Sequence, residues 1–485
     1  MTDTLGAGAA LPGYDPNGFF CEIFGGPGGD AAPSPAIQER LKRLDVGDLT
    51  QRAQAASDEL FNLGITFTVY TEREAIDRIL PFDVIPRPIG AAEWAVIEAG
   101  VKQRVQALNL FLHDVYHEQK ILKDGVIPKP LVLGNKNYRP QMQGLDLPHG
   151  TYVHICGVDL VRGGDGAFRV LEDNGRTPSG VSYVIENRHM MLRVFPDLAR
   201  DIGLRPVDEY GARLHQALHE VAPAEIGDPQ VVLLSPGVFN SAYFEHIFLA
   251  REMGVPLVEG RDLEVEDNRV YMRTTAGRAP VHAIYRRIDD DFLDPKTFRP
   301  DSMLGVPGLF EAYAKGNVTL ANAVGTGVAD DKAVYAYMPR VIDYYLGEEP
   351  IIQNVETHIC GEAEGLRYTL DNLAELVVKP VGESGGYGIL IGPQASREEL
   401  EQFRAKLTAD PANFISQPVV SLSVCPTLVD GRIEPRHVDL RPFCLTGRDS
   451  WVLPGGLTRV AIKRGSLVVN SSQGGGSKDT WVLTE

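Results

Sequence analysis

The segment from residue 151 to residue 185 most constrains the fold, because it reads as two strands joined by a tight turn. Apolar residues alternate with polar ones in TYVHICGVDLVR and again in AFRVLEDN, and the four residues GGDG lie between them. This pattern is typical of an antiparallel hairpin. A turn at this point sets Asp159, on the first strand, roughly opposite residues 170 to 172 on the second.

The second strand ends in three consecutive polar residues. Period-two alternation sends Glu172 and Asn174 to one face and Asp173 to the other. Together with Asp159, the side chains of Glu172 and Asn174 offer hard oxygen ligands, which suit Mg²⁺ shared with substrate phosphates. The alternative is the acidic edge of a solvated hairpin, because exposed carboxylates are common.

The chain is too long, at 485 residues, for one hydrophobic core, so two or three domains are expected. A flexible segment is expected at 1–33 and a helical region with the hairpin at 34–225, including a helix from about 92 to 120. Strand QVVLLSP, helix SAYFEHIFLAREMG and strand VPLVEG then predict a parallel βα unit within 226–325. The fold class is α/β (α+β).

The C-terminal part, 326–485, carries a glycine-rich stretch directly after a predicted strand. Lys379 in ELVVKP is followed by small residues at Gly382, Ser384, Gly385, Gly386 and Gly388. Backbone N–H groups of such a loop can turn inward on phosphate oxygens, because glycine tolerates the dihedral angles required. A mobile hairpin loop is the alternative, since glycine runs are weak motifs. Predicted helices DDKAVYAYMPRVIDYYLG and 396–407 and strand NFISQPVV complete this part.

Charge and cysteine content narrow the class of protein. Lys and Arg total 47 against 65 for Asp and Glu, and the net charge of −18 argues against a broad electrostatic grip on nucleic acid or anionic membrane. The chain shows no basic leader and no run of eighteen uncharged apolar residues, so we expect a cytoplasmic protein. The five cysteines have no CxxC pair and are expected to be reduced and mostly buried.

Three motifs resemble those of ATP-grasp ligases. GVDLV followed by VLEDNGRTPSG is similar to their magnesium-binding segment, VVKPVGESGGYGI to their phosphate-covering loop with its lysine, and ADDKAVYAYM to the helix that supplies a second ATP-binding lysine. Here the metal segment precedes Lys332 and Lys379, the reverse of the usual order. This order resembles the circularly permuted ATP-grasp group, which is similar to glutathionylspermidine synthetases, and the likeness covers roughly 135–485.

The resemblance implies a role for each matching residue. Asp159, Glu172 and Asn174 would hold Mg²⁺, and Lys332 and Lys379 would bind ATP phosphates under the glycine loop. The backbone from Gln417 to Val419 would hydrogen-bond adenine. Arg441, Arg459 and Arg176 are candidates for contacts to phosphate or acyl phosphate. For the first two, a structural ion pair is an equally good interpretation.

One departure from the family pattern concerns the residue two positions before the metal-binding aspartate. Glutathionylspermidine synthetases carry an arginine there, and this sequence has Gly157. Arg162 or Arg176 could supply the missing charge, or the substrate differs. We therefore do not infer glutathione or spermidine as a substrate of this protein from the resemblance.

The resemblance implies carboxylate activation. An acid would attack the γ-phosphoryl group of ATP, and an amine would displace phosphate from the acyl phosphate to form an amide bond. Substrates would be small-molecule or peptide carboxylates and amines, and a homo-oligomer is possible. A phosphotransferase and a catalytically silent nucleotide-binding protein are the alternatives.

The substrate side of the reaction is weakly marked in the sequence. Arg286 and Arg287 lie at a predicted strand end where a carboxylate could bind. For one of the pair a surface role is at least as good an interpretation, because adjacent strand residues face opposite ways. Ser241 and His246 near a helix start could meet an anionic substrate. For His246, a packed helix residue is the more common role.

Overall fold

The computed structural model describes residues 11, 13–26, 34–70, 75–224, 226–382, 388–463, 466, 469 and 474–485, without the side chains of 66–70 and 75–79. Within these ranges the helices are α1 Pro35–Lys42, α2 Val46–Asn62, α3 Ala91–Val115, α4 Lys120–Lys123, α5 Lys129–Leu133, α6 Val181–Val194, α7 Pro196–Ala199, α8 Tyr210–Glu220, α9 Tyr243–Met253, α10 Asp290–Leu293, α11 Leu309–Ala314, α12 Lys332–Ala336, α13 Met338–Leu346, α14 Ala363–Asp371 and α15 Arg397–Ala409.

The strands of the same ranges are β1 Thr66–Tyr70, β2 Ala75–Ile79, β3 Phe82–Ile89, β4 Ile155–Arg162, β5 Phe168–Asn174, β6 Val231–Leu234, β7 Leu257–Val258, β8 Leu263–Glu266, β9 Arg269–Thr274, β10 Gly277–Val281, β11 Ala283–Arg286, β12 Thr319–Ala321, β13 His358–Ile359, β14 Leu376–Pro380, β15 Leu390–Ile391, β16 Phe414–Pro418, β17 Val424–Val429, β18 Arg432–His437, β19 Phe443–Thr446, β20 Ser450–Val452, β21 Thr458–Val460 and β22 Gly476–Val482.

The predicted hairpin is formed by β4 and β5, which pair antiparallel in a sheet of order β20-β19-β4-β5. Strand β19 lies antiparallel to β4, with Phe443 opposite Gly157. An isolated bridge joins Leu160 to Leu440 just before β19. The C-terminal segment around residue 441 is thereby held against the strand that carries Asp159.

The βα alternation predicted after residue 226 is present as a parallel sheet of order β12-β11-β6-β7. Val231 and Leu233 of β6 belong to one hydrophobic core, and Val232 and Leu234 belong to another. A strand buried on both faces reads as a continuous apolar run, which is the usual pattern of parallel sheets. The carboxyl ends of these strands lie near the segment that follows β5, as the Asn322 contacts below show.

A four-stranded antiparallel sheet of order β13-β16-β14-β15 carries the predicted lysine strand. It has a small core of its own, formed by Cys360, Leu373, Val378, Leu390, Leu407 and Phe414. Helix α15 begins after Ser396, whose hydroxyl accepts from the Glu399 N–H in a capping box. The sequence pattern predicted these elements to within a few residues.

Two parts of the chain differ from the sequence expectation. The single helix expected at DDKAVYAYMPRVIDYYLG is two helices, α12 and α13, that meet at Tyr337. Pro339 lies in the first turn of α13, where a proline is tolerated, whereas inside one long helix it would remove a hydrogen bond. The segment expected to be flexible is described at residues 11 and 13–26, and there Cys21 and Glu22 are buried.

The five cysteines, Cys21, Cys156, Cys360, Cys425 and Cys444, are free and buried, as the sequence predicted. Among the described residues, none of the helices has both the length and the apolar character needed to cross a membrane.

Candidate active site

The hairpin places the three predicted metal ligands on neighbouring positions. Asp159 lies directly opposite Glu172, and Asn174 lies opposite Gly157, with a register shift just after Asp159. The Asn174 amide donates to the Asp159 carboxylate over 3.4 Å. The hairpin therefore brings these three side chains together, as the sequence predicted.

The neighbouring acid, Asp173, is buried on the opposite face of β5. Its carboxylate accepts from Arg104 of α3 at 2.6 and 2.8 Å. The Arg104 guanidinium also donates to Asn354 at 2.8 Å. A bidentate, buried ion pair of this kind fixes the strand from behind, so Asp173 orients the hairpin.

The Asp159 carboxylate is fully buried and bound by two arginines. Arg441 donates to both of its oxygens, through Nε and, at 2.8 Å, through Nη2. Arg459 Nη2 donates to Oδ2 at 2.5 Å. Burial by itself would raise the pKa of Asp159, but the charges of Arg441 and Arg459 hold it well below its usual range. Asp159 is therefore an anion in this structure.

A second buried acid, Asp439, orients Arg459. The Asp439 carboxylate accepts from Arg459 Nε at 2.9 Å and from Nη2 at 2.5 Å, and its Oδ1 accepts the Arg459 N–H at 3.2 Å. Sequence reasoning missed Asp439. The period-two alternation of HVDLRPF places positions 439 and 441 on one face, and this pattern could have identified Asp439 as a neighbour of Arg441.

Gly157 leaves the space that the Arg441 side chain occupies. A Cβ atom at residue 157 would lie 3.2 Å from Arg441 Cδ and 3.4 Å from Pro178 Cβ. In this structure the cation beside Gly157 that binds Asp159 is Arg441. Arg162 does not supply it, because its guanidinium is buried and paired with Glu22 and Glu93.

Lys332 and Lys379 face the same acidic hairpin from two separate segments. Lys332, the first residue of α12, has its Nζ 3.5 Å from Glu172 Oε2. Lys379 of β14 donates to Gln417 Oε1 at 2.7 Å. Burial lowers the pKa of Lys379 to about 8, against the opposing charge of Glu172. The two lysines and the hairpin acids thus share one electrostatic environment.

A cavity of about 150 Å³ lies beside these groups. Its lining residues are Asn137, Glu172, Asp173, Asn174, Arg176, Thr177, Asp330, Asp331, Lys332 and Gly382. Charged and amide side chains dominate this lining, so the cavity suits a polar, charged ligand.

Arg176 and Asp330 form one wall of this cavity. Arg176 Nε lies 3.6 Å from Asp330 Oδ2, and Nη1 lies 3.5 Å from Asp289 Oδ1. The Gly175 N–H donates to Asp330 at 2.6 Å. Burial raises the pKa of Asp330 to about 7, although Arg176 acts in the opposite direction. Sequence reasoning named Arg176 and missed Asp330.

Part of the predicted nucleotide loop lies outside the described residues, namely Ser384, Gly385 and Gly386. Of the rest, Gly382 lines the cavity, and a Cβ there would lie 3.1 Å from the Lys136 side chain. Gly388 has φ +70°, a conformation that favours glycine. The backbone conformation therefore favours glycine at residue 388, whereas at residue 382 a Cβ would require a small shift of the end of the Lys136 side chain.

The predicted adenine hinge follows the strand that pairs with the lysine strand. Gln417 is buried, and its side chain both accepts from Lys379 and donates to Thr357 at 2.9 Å. Val419 lies just past the end of β16 and is half-buried. The Gln417 side chain thus positions Lys379, whereas the sequence predicted a role for its backbone alone.

Asn322, at the end of β12, joins the parallel sheet to the hairpin. Its buried amide accepts from the backbone N–H groups of His154 and Ile155 at 2.7 and 2.8 Å. It donates to the carbonyls of Ile155 and Gly175 at 2.6 and 2.8 Å. No sequence motif marked this residue, because its partners lie far away along the chain.

The substrate candidates of the parallel sheet are all engaged by protein groups. Arg286 is buried and donates to the carbonyls of Asn322, Ile288 and Ala323. Arg287 donates to the Pro178 carbonyl at 2.7 Å and to the Ser179 hydroxyl. Arg286 therefore has a structural role, because its guanidinium is bonded to three backbone carbonyls, and the suggested carboxylate-binding role is wrong for it. Arg287 stabilises the loop that follows β5.

His246 is also a packed residue. Its Nδ1 lies 2.8 Å from Ser235 Oγ, and burial lowers the pKa of the imidazole. Ser241 is half-buried ahead of α9. The packed role therefore describes His246, and the anion-binding role does not.

The chemistry of the donor set fits a hard cation, because Asp159, Glu172 and Asn174 all offer oxygen. Within the part of the chain that the structure describes, no group of three or more His, Cys, Asp or Glu side chains is arranged to hold a metal ion. The predicted set has only two acids, with an amide as the third member. The two arginines on Asp159 also compete for the same oxygens.

The fold and these motifs define a class of protein, the ATP-grasp fold in its circularly permuted form. The model of the family described as circularly permuted ATP-grasp type 2 matches residues 86–461. The chain therefore belongs to the circularly permuted ATP-grasp type 2 family, which confirms the resemblance and the fold class expected from the sequence.

Several relatives align over nearly the whole chain. An uncharacterized protein of Synechocystis is 53% identical over 474 residues, covering 98% of each chain. An uncharacterized protein of Mycobacterium tuberculosis is 52% identical over 465 residues, covering 96% of this chain and 84% of its own. A Frankia casuarinae protein, provisionally named glutamate–cysteine ligase 2-2, is 44% identical over 474 residues, covering 97% of this chain and 54% of its own.

A solved structure supports the fold independently. The glutathione synthetase-like effector of Globodera pallida, determined in its apo form, has a TM-score of 0.58 with this chain. The match covers 93% of this chain and all of that one at 11% sequence identity. Likeness at this identity concerns the fold alone.

Proposed function

We propose that this protein is an ATP- and Mg²⁺-dependent ligase that joins a carboxylate to an amine. The observation that carries the proposal is the ion pair of Lys332 with Glu172, together with the buried Lys379, whose pKa responds to the charges of Glu172 and Asp159. Each lysine comes from a different segment, and both face the hairpin that carries the oxygen ligands. Two cations beside hard oxygen ligands form a site for a metal–polyphosphate complex.

Asp159, Glu172 and Asn174 are the proposed holders of Mg²⁺. When bound there, the metal would neutralise charge on the nucleotide phosphates and stabilise the charge that develops during transfer. Glu172 is the most accessible of the two acids, with 28% of its side chain exposed against none of Asp159. We therefore expect Mg²⁺ to bind Glu172 before it binds Asp159.

The nucleotide would be held by groups of the β13-β16-β14-β15 sheet and of helix α12. Lys332 and Lys379 would bind phosphate oxygens, and the loop with Gly382, Ser384, Gly385, Gly386 and Gly388 would cover them with backbone N–H groups. The backbone from Gln417 to Val419 would contact adenine. The side-chain bond from Lys379 to Gln417 supports this arrangement, because it ties the phosphate lysine to the strand of the proposed adenine contact.

In the proposed reaction, a carboxylate oxygen of the acid bonds to the γ-phosphorus of ATP and ADP leaves. The amine nitrogen then bonds to the acyl carbon, phosphate leaves, and one proton is released from the amine. Arg441, Arg459 and Arg176 would bind the anionic oxygens of the transferring group. Such chemistry needs positioned charges rather than a protein nucleophile.

The family and the name of the Frankia relative support a ligase. This chain spans about half of that relative, so the named activity belongs to a protein with a second part of similar size. Glutamate and cysteine therefore stay outside the proposal, and so do glutathione and spermidine.

Hydroxylamine can test the proposal without knowledge of the natural amine, because it traps an acyl phosphate as a hydroxamate. The protein would be incubated with ATP, Mg²⁺, hydroxylamine and a panel of carboxylic acids, and ADP and the coloured iron(III) hydroxamate would be measured. A ligase gives both products with its acid, and Lys379→Met abolishes both. ADP without hydroxamate would indicate a phosphotransferase.

Calorimetric titration supplies the matching binding test. A non-hydrolysable ATP analogue with Mg²⁺ should bind the wild type and lose affinity in the Glu172→Ala/Asn174→Ala variant. Nucleotide binding without turnover on any acid would favour the silent nucleotide-binding protein. If the wild type binds no nucleotide, the proposed function is wrong.

A further inference from the structure

The Asp159 carboxylate has no acceptor position left for a metal ion. Its two oxygens offer about four lone-pair sites. Two N–H groups of Arg441, one of Arg459 and the amide of Asn174 point at these oxygens. A magnesium ion that binds Asp159 must therefore displace at least one of these donors.

The two arginines differ in how firmly they are held elsewhere. The Arg459 guanidinium makes three hydrogen bonds to Asp439 in addition to its bond to Asp159. Among the residues that the structure describes, the Arg441 guanidinium has the Ser179 carbonyl, at 3.2 Å, as its one further hydrogen-bond partner. Its side chain is also the more exposed, at 13% against 9%. Displacing Arg441 from Asp159 therefore costs less free energy than displacing Arg459.

We propose that Arg441 is a latch on the metal site, which keeps Asp159 from binding a bare divalent cation and releases it to a metal–polyphosphate complex. This inference rests on the proposed function of the same site. A bare cation must break the bidentate bond of the Arg441 guanidinium to Asp159 and offers nothing in its place, whereas a polyphosphate offers its own oxygens to that guanidinium. Arg441 thus determines that the metal is taken up together with nucleotide.

Gly157 supports the same assignment. The aliphatic part of Arg441 lies against residue 157, where any Cβ would come within 3.2 Å of it. Glycine at this position lets a cation from another strand reach the carboxylate. An arginine fixed at position 157 itself would lack the freedom of a side chain anchored on the neighbouring segment.

The test measures divalent-cation binding directly, with Mn²⁺ as the probe and the EPR signal of free Mn²⁺ as the readout. The titrations compare wild type, Arg441→Gln and Arg436→Gln, each with Mn²⁺ alone and with Mn²⁺ plus a non-hydrolysable ATP analogue. Arg436 is a matched control, because it is a buried arginine that pairs with Glu434 and carbonyl groups away from the site.

The Arg441→Gln substitution is expected to change the two affinities in opposite directions. Arg441→Gln should bind Mn²⁺ alone about tenfold more tightly than wild type, because a positive charge competing for Asp159 is gone. It should bind the Mn²⁺–nucleotide complex about tenfold more weakly, because the phosphates lose a partner. Asp159→Asn added to Arg441→Gln should cancel the gain for Mn²⁺ alone. Arg436→Gln should change neither affinity.

Equal or weaker binding of Mn²⁺ alone by Arg441→Gln would overturn the latch. Far-UV circular dichroism checks that the variant is folded, and if it is not, Arg441→Lys replaces it. Lysine cannot make the bidentate contact, so it should show the same gain for Mn²⁺ alone in smaller measure. The proposed function fails separately, through absence of nucleotide binding in the wild type, and the titration with Mn²⁺ alone still decides the latch.

Discussion

Nucleotide affinity should fall as the pH rises through about 8, because Lys379 must be protonated to bind phosphate. Burial lowers the pKa of this lysine to about 8, with the like charge of Lys332 acting in the same direction and Glu172 against it. A bound phosphate restores a favourable environment for the ammonium, so its pKa in the complex returns toward about 10.4. Binding therefore takes up a proton wherever free Lys379 is deprotonated.

The magnitude follows from linkage. With a free pKa of about 8, the dissociation constant rises about twofold at pH 8 and about elevenfold at pH 9, relative to low pH. Proton uptake per nucleotide is about 0.1 at pH 7, about 0.5 at pH 8 and about 0.9 at pH 9. Below pH 7 the lysine is already charged, and this effect vanishes.

Calorimetry of a non-hydrolysable ATP analogue with Mg²⁺, in two buffers of different ionisation enthalpy, measures both quantities. Lys379→Arg should remove the pH dependence, because a guanidinium stays charged throughout this range. Lys332→Arg is the matched control and should keep the wild-type profile. Zero proton uptake at pH 8, or an unchanged profile in Lys379→Arg, would refute the reasoning.

Three further variants test the surroundings of the site. Asn322→Asp should lower the free energy of unfolding by about 3 kcal/mol, measured by urea titration, because a carboxylate oxygen would face three carbonyl groups. Glu22→Gln should lower it by about 3 kcal/mol in the same assay, since a buried Arg87 loses its counterion. Asp330→Asn should remove a loss of thermal stability that the wild type shows as the pH rises from about 4 to about 7, because the carboxyl keeps its proton to a higher pH in the folded than in the unfolded protein. An equal loss in the variant would assign it to another group.

The local parts of the candidate site could be read from the sequence. Alternation in VLEDN placed Glu172 and Asn174 on one face, and the GGDG turn set Asp159 opposite Glu172, which the strand register confirms. Both features depend on residues within one hairpin. The parallel βα unit and the helix that begins after Ser396 were equally local, because each is set by periodicity and capping.

Other predictions from the sequence were wrong because tertiary packing determines the structure at those positions. The helix interrupted at Tyr337 shows that an unbroken apolar pattern does not reveal where a helix changes direction. The segment around Glu22 looked like a surface loop by its composition. Its carboxylate is instead buried between Arg87 and Arg162, two residues that lie far along the chain.

The sequence by itself determined which side chains are candidates for the chemistry, since motif order and alternation depend only on neighbouring residues. The tertiary structure decided how those side chains are paired. Arg441 and Arg459 reach Asp159 across 282 and 300 residues. Arg441 lies just before β19, which pairs with β4, and Arg459 lies on β21, whose neighbour Leu457 bridges to Arg441. Electrostatic energy falls with distance in space, not along the chain, so the charge state of Asp159 and the competition for its oxygens exist only in the folded protein.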